Sequence, residues 1–109
     1  MHVRTAYFEG ELSDADKTAF QHTMLTTVAP IIRSFPGCRG VQVNIPHTLE
    51  PAAPQASLLM IQHSYDSADD LEAALASNER QQSLVATQAA MAPYDITVFH
   101  INHERTDFA

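Results

Sequence analysis

The chain has 109 residues, the size of one ordinary domain, with 45% hydrophobic residues, 6 basic and 13 acidic side chains and a formal net charge of −7. That balance repels a polyanion and supplies no counterion release, so no nucleic acid partner is expected. The apolar content argues against disorder, and no apolar run is long enough for a membrane span.

Met1-His2-Val3-Arg4-Thr5-Ala6 carries charge where a signal peptide would be apolar, and Cys38 is the only cysteine. No intrachain disulfide is possible, and a cytoplasmic location is expected. His2 to Glu9 reads as a strand, with Val3, Thr5 and Tyr7 on one face and Ala6 and Phe8 on the other. Ser13 or Asp14 caps a helix that runs to about Phe35, with Phe20, Met24, Val28, Ile31 and Phe35 as its apolar stripe. Pro30 lies within it, removes a backbone donor and predicts a kink or restart there. Pro36-Gly37 stops it.

Gly40 to Pro46 is the second strand, with Val41, Val43 and Ile45 on one face. The stretch from Pro46 to Gln55, with Pro46, Pro51 and Pro54, reads as a loop. Ser57 to Tyr65 is the third strand, apolar on both sides: Leu58 and Met60 point one way, Leu59 and Ile61 the other. Asp66 to Asp70 opens a second helical region in which Leu71, Ala74 and Leu75 face inward, and Asp66, Asp69, Asp70 and Glu72 suit its positive end. The pattern breaks near Ser77-Asn78, restarts through Leu84, Val85 and Met91, and ends at Pro93. Tyr94 to Glu104 is the last strand, and the polar tail from Arg105 to Ala109 reads as loose.

The order β-α-β-β-α-β predicts an α+β, ferredoxin-like domain over residues 1–109 with a four-stranded, mainly antiparallel sheet. Two helices cover only one face of such a sheet, yet strands one, three and four are apolar on both. At ~1.5–3 kcal/mol per buried large side chain, leaving the second face wet is costly for a chain this small. The same face of a second copy is the simplest cover, which predicts a homodimer with the sheets packed face to face as a barrel.

Two segments carry a resemblance. Val28-Ala29-Pro30-Ile31-Ile32-Arg33-Ser34-Phe35-Pro36-Gly37 is similar to a His-x-Pro-Leu run with a Leu-Pro-Gly stop. Tyr65-Asp66-Ser67-Ala68-Asp69-Asp70-Leu71-Glu72-Ala73-Ala74-Leu75-Ala76-Ser77 is similar to a Phe-Asp-Ser-x-x-x-Leu-x-x-Ala-Leu-Ala-Ser block. Both resemble the EthD-like branch of the dimeric α/β barrel superfamily. The resemblance implies the fold, a homodimer and a small-molecule role within a group of monooxygenases, lactone isomerases, polyketide cyclases, dehydratases, decarboxylases and haem enzymes. The segments are mostly caps, core positions and stops, so they speak to fold more than to reaction. Where the pattern has a histidine two residues before the proline, this chain has Val28, which can neither transfer a proton nor bind a metal. His22 lies roughly 150° from the middle of the apolar stripe and should face water.

His63 and His100 are the candidate catalytic residues. Each lies in a strand with apolar same-face neighbours: Leu59 and Ile61 for the first, Ile96 and Val98 for the second. An imidazole buried there needs a hydrogen-bond partner, and either structural burial or a place in an apolar ligand pocket would supply one. Tyr65 shares the parity of His63, and the pair is suited to holding and protonating a phenolic or enolic oxygen. Tyr7 and Tyr94 are weaker candidates, and His2, His22, His47 and His103 read as solvated. No zinc spacing, nucleophile elbow, phosphate loop or dinucleotide fingerprint is present, so no nucleotide or metal cofactor is expected. Three functions remain open: a cofactor-independent enzyme acting on a small aromatic, polyketide-like or lactone molecule; a non-catalytic accessory or ligand-binding dimer; and haem binding through His63 or His100.

Overall fold

The computed structural model describes residues 1–109. The strands are β1 (His2–Glu9), β2 (Gly40–Asn44), β3 (Ser57–Tyr65) and β4 (Thr97–Glu104). The helices are α1 (Asp14–Thr23), α2 (Ala29–Arg33), α3 (Ala68–Leu75) and α4 (Asn78–Met91), and a wider π turn, Met24–Val28, joins α1 to α2. All pairings are antiparallel and the sheet order is β2-β3-β1-β4. This is the ferredoxin-like α+β arrangement that the element order predicts.

Cross-strand partners share a face, so the register sorts the side chains. Arg4, Ala6 and Phe8 pair with His63, Ile61 and Leu59 on one side and with Asn102, His100 and Val98 on the other. Phe20, Met24, Val28 and Ala90 from the helical layer pack on Ala6, Phe8, Leu59 and Ile61, so this is the covered face. Val3, Thr5 and Tyr7, with Met60, Gln62, Phe99 and Ile101, form the opposite face. A second cluster, Phe35, Cys38, Tyr65, Leu71 and Ala74, closes one end of the covered side.

Local chemistry sets the element ends. Ser13, Ser67 and Ser77 each accept a hydrogen bond from the backbone N–H three residues on, at 3.2 Å, which starts α1, α3 and α4. Gly37, at φ 75°, supplies the left-handed residue that takes the chain from α2 toward β2.

Of the kink or restart expected at Pro30, the structure shows a restart, with the proline in the first turn of α2. Proline cannot donate, and the helix widens just before it, with Ala29 N–H reaching back five residues to the Met24 carbonyl.

Four expectations shift in detail. β2 stops at Asn44, leaving Ile45 exposed beyond the strand rather than in its apolar row. The ladder between β1 and β3 slips at Phe8/Glu9, and Leu58 joins the same core as Leu59 instead of pointing away from it. Val85 is 66% exposed, and Ser83 and Ala90 are the buried residues of α4. β4 begins at Thr97 because Tyr94 is still part of the turn after α4: its N–H bonds the Met91 carbonyl at 2.9 Å and its ring packs edge-on against Phe20.

Candidate functional site

A cavity of about 220 Å³ lies between the covered face of the sheet and the helices. Ala6, Phe8, Ile61 and Val98 form its apolar floor, Val28, Ile32 and Phe35 a wall, and α4 the roof. The α4 residues that line it include the small Ser83 and Thr87. Val98 and His100 of the exposed edge strand β4 also line it.

His63 and His100 both line this cavity. Parity in the sequence puts each among apolar neighbours; the register adds that both point to the helix side, His63 beside Arg4 and His100 beside Ala6. His63 is 5% exposed, its Nδ1 lies 2.7 Å from the Tyr65 hydroxyl, and Phe35 packs edge-on against the ring. The hydrogen bond sets the ring's chemistry. A phenol donating to Nδ1 leaves Nε2–H as a donor, and Nδ1–H donating to the phenol leaves Nε2 as an acceptor. Nε2 has no partner within the chain and is not sealed off.

Burial lowers the His63 pKa to about 4, reinforced by the charges of Arg4, His100 and Arg80. His100 is lowered to about 4 as well, by desolvation first and then by Arg4 and Arg80. Both rings are therefore neutral at pH 7 and can accept a hydrogen bond or a proton.

Tyr65 is fully buried and lies outside the cavity lining, behind His63. Burial raises its pKa, and the Cys38 thiol packed in the same cluster works in the same direction, so it stays a phenol. The histidine and the tyrosine are brought together, but the phenol meets the imidazole rather than the cavity.

Two lining residues were not anticipated. Arg4 comes from the floor and Arg80 from the roof. Arg4 makes one long hydrogen bond, 3.4 Å, to Asn102, and neither guanidinium forms an ion pair. The signal for Arg4 was its parity: it shares the face of Ala6 and Phe8. The signal for Arg80 was its place in the first turn of α4, where an acid is the favoured residue.

The remaining candidates lie elsewhere. Tyr7 stacks on Phe99 at 4.9 Å on the opposite face. His22 is exposed, as expected, and His47 bonds Thr48 at 3.0 Å in the proline-rich loop. That loop contributes no residue to the cavity. Val28, which stands where the resemblance has a histidine, does line it. No group of three or more His, Cys, Asp or Glu side chains is placed to hold a metal ion, and no helix is long and apolar enough to cross a membrane. A cavity of ~150 Å³ takes benzene, so about 220 Å³ suits one substituted ring or two fused ones.

No family model and no curated protein matches the chain. Solved structures do. An EthD family protein from Bacillus halodurans C-125 superposes with a TM-score of 0.76 at 23% identity, covering 97% of this chain and 100% of that one. A dimeric protein of unknown function and ferredoxin-like fold from Bacteroides fragilis NCTC 9343 gives 0.66 at 11%, covering 95% and 96%. SnoaB, a cofactor-independent oxygenase from Streptomyces nogalater, gives 0.61 at 15%, covering 98% and 94%. Over nearly its whole length, this chain has the ferredoxin-like fold that these EthD-type and oxygenase structures share.

Proposed function

We propose that this chain is an EthD-like homodimer that takes a small aromatic, polyketide-derived or lactone molecule into the sheet–helix cavity and moves a proton on it, without a nucleotide cofactor. The observation that carries this reading is the convergence of two neutral imidazoles, His63 and His100, on one largely apolar cavity of ring size. Nε2 of His63 is the atom free to exchange a proton, and Tyr65 holds the ring by its other nitrogen. His100, from the exposed edge strand, would act on the same ligand as the second base. The description of SnoaB as a cofactor-independent oxygenase accords with chemistry done by side chains alone on this scaffold.

The dimer rests on the second face of the sheet, where Phe99 is 45% and Ile101 43% exposed beside the Tyr7 ring. A cytoplasmic location accords with the single thiol, Cys38.

Exchange in D2O tests the catalytic reading. Cyclic ketones, phenols and lactones are incubated with the protein, and loss of C–H signal is followed by NMR. Exchange above the buffer rate that falls in both His63→Gln and His100→Gln supports it. Binding without exchange by any class would leave the second reading, a ligand-binding accessory dimer, which Val28 in the cavity wall favours.

A further inference from the structure

Of the 17 residues lining the cavity, two are arginines, two are histidines and none is an acid. This is the reverse of the whole chain, in which 13 acids outnumber 6 bases. Neither Arg4 nor Arg80 has found a carboxylate among those 13: the ion pairs of the chain are Arg39–Asp66 and Arg105–Asp107, both at the surface. The two guanidiniums also repel each other, and that repulsion adds to burial in lowering the pKa of Arg4. Arg80 sits in the first turn of a 14-residue helix, where its charge adds to the positive end of the helix dipole instead of cancelling it. The fold therefore brings two cations without carboxylate partners to one apolar space, where an anion would meet opposite charge and no acid.

We infer that the ligand is a ring-sized molecule bearing one carboxylate, with the carboxylate between Arg4 on the sheet and Arg80 on α4 and the ring against Ala6, Phe8, Val28, Ile61, Met91 and Val98. This rests on the cavity being a ligand site, as proposed above. Guanidinium is suited to the role because its planar fork matches a carboxylate with two parallel hydrogen bonds. The apolar lining accepts the ring, and the absence of any acid removes repulsion.

The arrangement also bears on the histidines. Arg4 and Arg80 help to hold both imidazoles at about 4, which makes them weak bases while the cavity is empty. A bound carboxylate offsets those charges and raises the basicity of the imidazoles when a substrate is present to use it.

The test compares 2-naphthoate with 2-naphthamide, which match in shape and differ in charge, by calorimetry at low salt. The carboxylate is expected to bind at least about tenfold more tightly. That preference should vanish in Arg80→Gln, survive in part in Arg80→Lys, and weaken with added salt. Unchanged amide affinity in Arg80→Gln reports an intact fold. A 1H NMR titration of His63 should show its pKa rising with 2-naphthoate and not with the amide. Equal binding of the two probes, or a carboxylate preference that persists in Arg80→Gln and Arg4→Gln, overturns the inference and leaves the cavity reading standing. Binding of neither probe overturns both.

Discussion

The two faces of the sheet invert the usual division between inside and outside. The covered face carries Arg4, His63 and His100 among apolar neighbours, and the open face presents Phe99 and Ile101 to solvent beside a stacked Tyr7. Polar groups under the helices and apolar groups facing out are both informative departures. The first accords with the proposed ligand in the cavity, the second with the proposed partner copy on the sheet. One strand serves both ends: β4 contributes His100 and Val98 to the cavity and Phe99 and Ile101 to the open face, by simple alternation.

Breaking the open face should have the largest effect. Ile101→Lys with Phe99→Lys puts like charges on both sides of the proposed interface. Light scattering after size exclusion should then give the monomer mass, and the loss of several buried side chains per copy at ~1.5–3 kcal/mol each should lower the thermal midpoint sharply. A variant that keeps the dimer mass would mean that this face is not the interface.

Acid probes the covered face. His63 is lowered to about 4 in the fold from an ordinary 6.5, so the unfolded chain binds more protons between those values. Its neutral state contributes stability that is complete above pH 6.5 and is lost as pH falls toward 4, a term on the order of 2–3 kcal/mol. Arg4 from β1, His100 from β4, Arg80 from α4 and Tyr65 surround it, and His100 adds a loss of the same sign. Urea denaturation between pH 4 and 7 should show this slope, and His63→Gln should flatten it; an unchanged slope would place the acid sensitivity elsewhere.

Tyr65→Phe leaves the His63 Nδ1 without its 2.7 Å partner in a buried setting and should cost about 1–3 kcal/mol in the same assay. A cost below about 0.5 kcal/mol would show that the ring finds water instead. Asn102→Ala is the mildest change. It removes only the 3.4 Å contact to Arg4 at an exposed edge and should stay within about 0.5 kcal/mol. A larger loss would mean that Arg4 is held by Asn102 rather than left available to a ligand.

Period-two alternation was sufficient to find the strands and to place His63 and His100 on apolar faces, because it depends only on local sequence. It could not say which parity lies under the helices; that is decided by packing across the whole chain. The bulge that carries Leu58 into the core was hidden for a related reason, since a one-residue slip in the ladder leaves no mark in an apolar run. Arg4 shares the parity of Ala6 and Phe8, but a single charge near a terminus carries no sign of the cavity that forms above it. Arg80 becomes a lining residue only through the packing of α4 over the sheet. Val85 faces out because the apolar pair Leu84-Val85 spans two helix faces, and only one of them can turn inward.

The π turn before Pro30 has a consequence for helical phase. In a regular α-helix two successive four-residue steps drift by about 80° around the axis, so Phe20, Met24 and Val28 would spiral away from one another. The wider turn at Met24–Val28 takes back part of that rotation, and all three side chains remain buried on the sheet side. The turn thus behaves as a one-residue insertion that resets the angular reading of everything after it. Removing a single residue between Leu25 and Thr27 would restore a uniform helix and swing the wall of the cavity out of line, with no change to any residue that lines it.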